Sequence, residues 1–311
     1  MDSTLFAASV PVIVQGLTGR AGRTHAELMR RYGTRVVGGV STTGEAGDVA
    51  GIPVFRSCAE AVRRTGARAS LLLVPPLGVL AAAREAIEGG IELLVCVTEG
   101  VPVHDTMRIV SLARAAGVQC IGPSTPGIAI PGRMKIGFLP DAALAPGPLA
   151  VISKSGTLSY EICYRLAQRG VGQSLWIGVG GDPVKGTRFA DLVPLFAGHA
   201  ETEALLMIGE IGGGEEESFA EALHRHGFDK PVFALLAGTS APEGVTMGHA
   251  GALIYGSRGT AAAKVAALRV AGAQVYATMR ELVEDVPRRL AVPAPDSRAG
   301  RDPSLWRDAA R

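Results

Sequence analysis

The chain has 311 residues, of which 47% are hydrophobic and 19% charged, and its 31 basic and 29 acidic side chains leave a formal net charge of +2. This composition predicts well-buried cores, excludes a largely disordered protein and gives no sign of a nucleic-acid-binding face. The length suits two domains of about 150 residues each, and no apolar run approaches the ~20 residues of a membrane-spanning helix.

The first 125 residues alternate short β-branched runs with helical patterns. Strands are predicted at 12–15, 36–40, 69–74, 93–97 and 118–121, and helices at 20–31, 77–88 and 104–116. Continuous β-branched runs joined by helices indicate parallel strands covered on both faces. Residues 1–125 are therefore predicted to form a Rossmann-like domain with a doubly wound parallel sheet.

The segment 126–148 is rich in proline and glycine and shows no sustained period, which predicts an irregular connection between domains. Alternation then resumes, with strands predicted at 149–153, 174–179, 204–208, 232–236 and 275–277 and helices between them. Residues 149–290 are predicted to form a second, flavodoxin-like α/β domain, so the fold class is α/β throughout. The stretch 291–311, with three prolines and four arginines, is predicted to be a mobile C-terminal tail.

The four cysteines, Cys58, Cys96, Cys120 and Cys163, are scattered and show no CxxC spacing. This pattern is typical of buried thiols in a reducing compartment and does not favour a zinc site. The N-terminal segment is apolar but lacks the basic region of a signal peptide. We therefore predict a cytoplasmic protein without a metal site of its own, and the mean hydropathy of +0.26 predicts that a partner chain covers part of its surface.

A glycine-rich turn, 16–22 (GLTGRAG), follows the first predicted strand and opens the first helix. Glycines at such a position let backbone N–H groups reach a phosphate, so Gly16, Thr18, Gly19, Arg20 and Ala21 are candidate ligand-binding residues. Close packing of the helix on the strand is the alternative explanation of the same glycines.

NAD is the obvious ligand for such a turn, but two observations disfavour it. A dinucleotide-binding fold carries an Asp or Glu at the end of its second strand, whereas this chain reads GVSTT at 39–43. The turn is also GxxGxxG rather than GxGxxG. A Rossmann dehydrogenase is therefore the weakest functional hypothesis, although a phosphate-bearing ligand is still favoured.

A second candidate anion site lies in the run 153–161 (SKSGTLSYE), after the strand predicted at 149–153. Ser155, Gly156 and Thr157 would offer hydroxyl and N–H groups at the positive end of a helix. The alternative is an ordinary helix N-cap, which serine often provides.

Two further candidates are an acid and an imidazole in glycine-rich surroundings. Glu210 lies in 209–214 (GEIGGG) at the end of a predicted strand, and His249 lies in 244–252 (GVTMGHAGA). Imidazole can carry a group covalently near neutral pH, and a carboxylate on its second nitrogen fixes the tautomer. The alternatives are a solvated loop acid and a loop histidine with an ordinary hydrogen bond.

Six separated motifs together resemble one known family. They are 15–19 (QGLTG), 97–100 (VTEG), 155–161 (SGTLSYE), 180–183 (GGDP), 209–213 (GEIGG) and 247–251 (MGHAG). In this order they resemble the α subunits of succinyl-CoA synthetase and the related nucleoside-diphosphate-forming acid–CoA ligases. The resemblance extends over about 12–290.

The resemblance implies that CoA binds to the N-terminal domain. The residues implied in this contact are Gly16, Thr18, Gly19, Arg20, Ala21, Val97, Thr98 and Glu99. It also implies that ATP or GTP, bound with Mg²⁺ on the ATP-grasp site of a separate β subunit, phosphorylates His249. The chain itself contains no GxxxxGK[ST] nucleotide motif, which agrees with a nucleotide site on a partner.

In the same resemblance, Glu210 orients the phosphorylated histidine. The start of the helix at Ser155, with Gly156 and Thr157, would hold the phosphoryl group, and Tyr160 would lie near the organic acid.

Three departures from the family leave the acid open. The loop 41–49 has no basic residue where the family has a Lys that meets a CoA phosphate, so Arg20 or Arg23 is the candidate replacement. The family's GPNCPG reads GPSTPG at 122–127, and Lys154 stands where the family usually has an Arg. We predict an acid–CoA ligase α subunit acting on succinate. Malate or another small dicarboxylate is the alternative acid, and a CoA-binding regulatory protein is the non-enzyme alternative.

Overall fold

The computed structural model describes residues 2–41, 46–238 and 259–291. His249, Glu45 and nearly all of the predicted tail lie outside these residues. The described chain forms two sheets of seven strands each, and the strands of each sheet are mainly parallel. This confirms the predicted α/β fold class.

The first sheet has the order β3-β4-β2-β1-β5-β6-β7, and β3 alone runs antiparallel to its neighbour. Its strands are β1 (Val12–Gln15), β2 (Val36–Val40), β3 (Gly47–Val49), β4 (Ile52–Phe55), β5 (Ala69–Leu72), β6 (Leu93–Cys96) and β7 (Gln119–Ile121). From β1 the sheet is built outward in one direction through β2 and β4, and β5 then lies on the other side of β1. The switch point is therefore between β1 and β5, as in Rossmann-like domains.

The second sheet has the order β14-β13-β12-β10-β11-β8-β9. Its strands are β8 (Gly127–Ile130), β9 (Met134–Gly137), β10 (Pro146–Ser153), β11 (Gln173–Gly178), β12 (Ala204–Glu210), β13 (Val232–Ala237) and β14 (Gln274–Tyr276). The five parallel strands β10 to β14 follow the flavodoxin-like order 2-1-3-4-5, as predicted. The switch point of this sheet lies between β10 and β12.

Nine helices of the described residues cover the two sheets. They are α1 (Arg20–Arg31), α2 (Cys58–Thr65), α3 (Val79–Glu88), α4 (Val103–Ala115), α5 (Gly156–Ala167), α6 (Phe189–Gly198), α7 (Glu215–Arg225), α8 (Ala261–Val270) and α9 (Met279–Arg289). None of them is long and apolar enough to cross a bilayer.

The segment 126–148 differs from the irregular connection that its composition predicts. It contains the hairpin of β8 and β9, which extends the second sheet through antiparallel pairing of β8 with β11. Gly127 and Gly137 pair across this hairpin, both with positive φ, and a Cβ on Gly127 would lie 2.0 Å from the Ile136 carbonyl oxygen. The glycines that suggest a loop are therefore required for close strand pairing.

The end of α1 and strand β9 connect the two halves of the chain. Thr34 Oγ1 accepts a hydrogen bond from the Lys135 N–H at 3.0 Å and donates one to the Lys135 carbonyl. Tyr32 Oη accepts a hydrogen bond from the Gly132 N–H at 2.9 Å. The buried Lys135 ammonium donates to the Leu139 carbonyl at 3.0 Å and pairs with Asp141. The hydrogen bonds of Thr34 and Tyr32 hold the two sheets against each other.

The first helix begins in close contact with the turn that precedes it. A Cβ on Gly22 would lie 2.1 Å from the Gly16 carbonyl oxygen and 2.8 Å from the Leu17 Cα. A Cβ on Gly39 of β2 would lie 2.3 Å from the Leu17 side chain. Glycine at these positions sets how closely α1 packs on the sheet, so helix packing explains part of the glycine pattern.

We expect Gly22→Ala to destabilise the protein, because the new methyl group would meet backbone atoms that cannot yield without moving α1. The expected loss in the free energy of unfolding is about 1–3 kcal/mol. Gly198→Ala is the matched control, since Gly198 is also helical and a Cβ there meets nothing within 4 Å. Thermal unfolding should show a lower Tm for Gly22→Ala and an unchanged or higher Tm for Gly198→Ala. A Gly22→Ala variant as stable as the wild type would contradict this account of the packing.

Candidate functional site

A cleft of about 530 Å³ opens where the carboxyl ends of strands from both sheets face each other. It is lined by Leu73, Val97, Thr98, Glu99, Ser124, Thr125, Pro126, Phe138, Lys154, Ser155, Gly156, Thr157 and Tyr160. Doubly wound folds bind their ligands at the carboxyl ends of parallel strands. The cleft therefore brings together the VTEG motif of the first half and the SGTLSYE motif of the second half.

The turn 16–22 packs against Leu73, one of the residues that line this cleft. Gly16 has a φ of +88°, and a Cβ there would lie 2.3 Å from the carbonyl oxygen of Leu73, which lines the cleft. Gly19 is the N-cap of α1 and provides no side-chain cap, and the residues around it are exposed. The first N–H groups of α1 lack a side-chain cap, which suits an anion at this helix end.

The VTEG motif contributes to the cleft mainly through its main chain. The Val97 side chain is buried in the core, and Thr98 Oγ1 donates to the Val74 carbonyl at 3.0 Å. The Thr98 carbonyl accepts a hydrogen bond from the Ser124 N–H at 3.1 Å. Glu99 is exposed at the rim. Of the three predicted ligand-binding residues, Val97 is buried, Thr98 is half-buried and Glu99 is exposed.

Helix α5 begins at the opposite wall of the cleft. Ser155 is its N-cap, and its Oγ accepts a hydrogen bond from the Leu158 N–H at 3.3 Å. Ser153 Oγ braces the turn, since it donates to the Ser155 carbonyl at 2.7 Å and accepts from the Ser155 N–H at 3.1 Å. The capping interpretation of Ser155 is thus correct. The first N–H groups of a helix have no partner within it, so those of Gly156 and Thr157 are available to an anion in the cleft.

Tyr160 lies one turn further along α5 and leans over the helix start. A Cβ on Gly156 would lie 3.3 Å from the Tyr160 Oη. The Tyr160 ring packs edge-on against Trp176, with ring centroids 5.7 Å apart. Burial raises the pKa of Tyr160 to about 12. The phenol therefore stays protonated at neutral pH and can donate a hydrogen bond to an anion at the helix start.

Glu210 lies at the end of β12, which neighbours β10 at the switch point of the second sheet. Lys154 follows β10, and its N–H donates to the Ile208 carbonyl at 3.1 Å. The Lys154 Nζ lies 3.8 Å from Glu210 Oε1. The structure thus places the predicted acid beside the predicted anion-binding turn, with Lys154 between them.

Sequence reasoning missed the other carboxylates around Lys154. Its Nζ lies 2.9 Å from Glu216 Oε1 and 3.4 Å from Glu215 Oε2, both at the start of α7. Burial disfavours the ammonium, but Glu216 and Glu215 outweigh burial and raise the pKa of Lys154. In the sequence, the run of three glutamates resembles the solvated start of a helix. The local signal that could have indicated a buried ion pair is Lys154, a lysine directly after an apolar strand.

The GPSTPG segment has a structural role at the wall of the cleft. Thr125 is buried, and its Oγ1 accepts a hydrogen bond from the Gly127 N–H at 2.9 Å and donates to the Gly178 carbonyl. Ser124 has a φ of +57° and lines the cleft. The threonine that replaces the family's cysteine therefore joins β8 to the end of β11.

The protein's own thiols are buried away from reagents. Cys58, Cys96, Cys120 and Cys163 are all buried and unbridged, as predicted. Burial raises the pKa of each, to about 12 for Cys96 and Cys120. All four thiols therefore stay protonated at neutral pH. The described residues also contain no group of three or more His, Cys, Asp or Glu that could hold a metal ion.

Family models match the two halves of the chain separately, and a solved structure matches nearly the whole chain. A family model described as a CoA binding domain matches residues 8–100, and one described as CoA-ligase matches residues 152–274. The fold also matches ATP citrate lyase from Methanothrix soehngenii, with a TM-score of 0.80 and 23% identity, over 98% of this chain and 55% of the lyase chain. This chain spans about half the length of that larger protein.

Curated relatives match over nearly their full length. The α 1 subunit of succinate–CoA ligase [ADP-forming] from Archaeoglobus fulgidus is 48% identical over 279 residues, which are 90% of this chain and 95% of the relative. The α subunit from Aquifex aeolicus is 48% identical over 284 residues, which are 90% of this chain and 92% of the relative. The chain therefore belongs to the family of succinate–CoA ligase α subunits.

Proposed function

We propose that this chain is the catalytic α subunit of an ADP-forming acid–CoA ligase, with succinate as its acid. The observation that carries the proposal is the single cleft in which the VTEG main chain faces the start of α5, with Glu210 at the adjacent strand end. Relatives named succinate–CoA ligase [ADP-forming] support both the acid and the nucleotide.

A carboxylate is a poor acyl donor, because an oxide would have to leave when a thiol attacks it. In the proposed reaction a nitrogen of His249 takes the γ-phosphoryl group of ATP, and ADP leaves. A carboxylate oxygen of the acid then attacks the phosphorus, which frees the histidine and gives an acyl phosphate. The CoA thiolate attacks the acyl carbon, and inorganic phosphate leaves with the bonding electrons. Covalent catalysis thus divides one difficult step into easier ones.

The described residues have complementary parts in this scheme. The start of α5 offers the N–H groups of Gly156 and Thr157 to the anionic phosphoryl group, an interaction worth on the order of 1 kcal/mol at a helix N-terminus. The neutral Tyr160 phenol donates to the acid or to its phosphate. Glu210 holds one imidazole nitrogen so that the other is free to react.

CoA would lie along the turn 16–22, with its thiol directed into the cleft. The uncapped start of α1 suits its phosphates, and Arg20 and Arg23 lie exposed beside that helix end. Arg23 also donates from Nε to the Thr18 carbonyl at 3.1 Å, which keeps its charge at the turn. These two arginines would compensate for the absence of a basic residue in the loop 41–49.

A β subunit would supply the nucleotide site, of the ATP-grasp type, together with Mg²⁺. The relatives are themselves α subunits by name, which supports such a partner. We therefore propose that the isolated chain turns over only weakly and that the complex acts in the cytoplasm.

His249→Asn should abolish phosphorylation of the chain, because the nucleophilic nitrogen is lost. With the β subunit and γ-labelled ATP, the wild type should acquire acid-labile phosphate and His249→Asn none. Glu210→Gln should slow phosphorylation by about ten-fold or more, since the carboxylate that orients the ring is neutralised. His104→Asn, at an exposed position of α4, is the control and should behave as the wild type.

Undiminished thioester formation by His249→Asn would exclude the carrier role. A wild-type complex that binds CoA but never gains phosphate would instead indicate a CoA-binding regulatory protein.

Ser155→Ala separates the capping role of this hydroxyl from its role at the phosphoryl group. Ser57 caps α2 in the same way, with Oγ accepting from the Glu60 N–H at 3.2 Å, and it is not among the residues that line the cleft. Both Ser→Ala variants should lose about 1 kcal/mol of stability. Ser155→Ala alone should also reduce turnover, by about ten-fold or more, if the helix start stabilises the transferring group. Equal turnover in the two variants would show that Ser155 is only a cap.

A panel of acids tests the proposed substrate. Succinate should give a kcat/KM above that of glutarate by about 10–200-fold, the discrimination that one methylene group allows. Turnover with succinate, malate and glutarate is measured from the amount of ADP released. A higher kcat/KM for malate than for succinate would overturn the proposed acid and leave the ligase chemistry intact.

A further inference from the structure

Buried charges join the ends of three neighbouring strands of the second sheet, β12, β10 and β11. Lys154 follows β10, and Lys185 lies in the loop after β11. Both ammonium groups approach the same oxygen, Glu215 Oε2, at 3.4 Å from Lys154 and 3.1 Å from Lys185. Lys185 also donates to the Gly180 carbonyl, which fixes the GGDP loop.

Glu216 connects Lys154 to Glu210. Its Oε1 accepts a hydrogen bond from the Glu210 N–H at 3.1 Å and pairs with Lys154 at 2.9 Å. Its Oε2 pairs with the fully buried Lys264 of α8. A Cβ on Gly209 would lie 2.6 Å from Glu216 Oε1, so the carboxylate lies directly against the strand end. Lys154 is thus linked to Glu210 in two ways. One is indirect, through Glu216, and the other is the distance of 3.8 Å between Lys154 Nζ and Glu210 Oε1.

The positive and negative charges of the cluster nearly balance. Its described members are the cations Lys154, Lys185 and Lys264 and the carboxylates of Glu210, Glu215, Glu216 and Glu217, so four carboxylates face three ammonium groups. Removing one partner from a buried ion pair leaves an uncompensated charge, which is strongly unfavourable. The carboxylates near Lys154 would then repel one another or take up a proton.

We propose that Lys154 is a positioning residue, which holds Glu210 and the turn that begins α5 in one fixed geometry. The inference rests on the proposed function, in which Glu210 orients His249 and the start of α5 receives the phosphoryl group. Lys154 lines the cleft, but its ammonium is engaged by three carboxylates. It therefore acts through Glu210 and the turn rather than on the reacting atoms.

The charge state of the cluster gives the proposal a signature in pH. Burial by itself would raise the pKa of Glu215, but the ammonium groups of Lys185 and Lys154 outweigh burial and hold that pKa below its ordinary value. Loss of Lys154 removes part of this effect. Because interacting groups titrate together, proton uptake by the cluster then begins at a higher pH. Protonation of Glu215 weakens its pairing with Lys185 and disturbs the strand ends that carry the site, so the acid limb of the rate profile moves to higher pH.

The experiment compares Lys154→Met, Lys154→Gln and Lys154→Arg in the full complex with the β subunit. Steady-state rates are measured from acid to neutral pH at saturating and limiting CoA, ATP and succinate. Lys154→Met and Lys154→Gln should lower kcat by about ten-fold or more, as expected for loss of a group that orients a catalytic residue. The KM values for CoA and ATP should change by less than about two-fold, because neither ligand loses a contact.

Two comparisons distinguish positioning from a general loss of structure. Lys154→Arg keeps the positive charge and should restore most of kcat and the position of the acid limb. Lys230→Met removes another lysine whose ammonium is held by the protein, through the Phe196 and His199 carbonyls, and should lower the Tm while leaving kcat and the acid limb unchanged.

Wild-type kcat and pH dependence in Lys154→Gln would overturn the proposal. So would a loss of kcat without a shift of the acid limb and without recovery in Lys154→Arg, which would mean a structural role alone. If Lys154→Met does not fold, the contrast between Lys154→Gln and Lys154→Arg decides in the same way. A wild-type complex that gains no phosphate on His249 would refute the proposed function itself, and with it this inference.

Discussion

The parallel strands of both sheets present their carboxyl ends to one cleft, and the candidate site depends on that arrangement. Parallel strands place all of their following loops at one edge, and the contacts between α1 and β9 hold the two edges together. A candidate phosphate-binding turn, a helix start and a buried acid from distant parts of the chain thereby come to the same edges. The same constraint explains why the recurring motifs lie directly after strands.

The cost of this arrangement is a concentration of charge in a buried place. Burial penalises ions unless each has partners, and a buried ion pair is by itself weak support for stability. Here the glutamates at the start of α7 pair with the lysines after β10 and β11, and these pairs connect three strand ends. A role in fixing the geometry of these strand ends therefore explains the cluster better than a contribution to stability does.

Much of the fold was predictable from the sequence, because long β-branched runs and glycine turns are local signals. The flavodoxin-like second sheet and the buried thiols were confirmed in this way. The hairpin of β8 and β9 was missed, because the glycines that permit close pairing are also typical of loops. Strands β3 and β4 and helix α2, of three, four and eight residues, were also absent from the prediction.

The site was less predictable where its parts depend on long-range contacts. Motifs indicated Ser155, Tyr160 and Glu210, but no local pattern shows that Lys154 reaches Glu216, or that Val97 faces the core.

The most direct test is a structure of the phosphorylated complex with its β subunit and CoA. We predict the phosphate on His249, with its oxygens about 3 Å from the N–H groups of Gly156 and Thr157 and the second ring nitrogen hydrogen-bonded to Glu210. Phosphate on another residue, or a phosphorylated ring distant from both the α5 start and Glu210, would contradict the account.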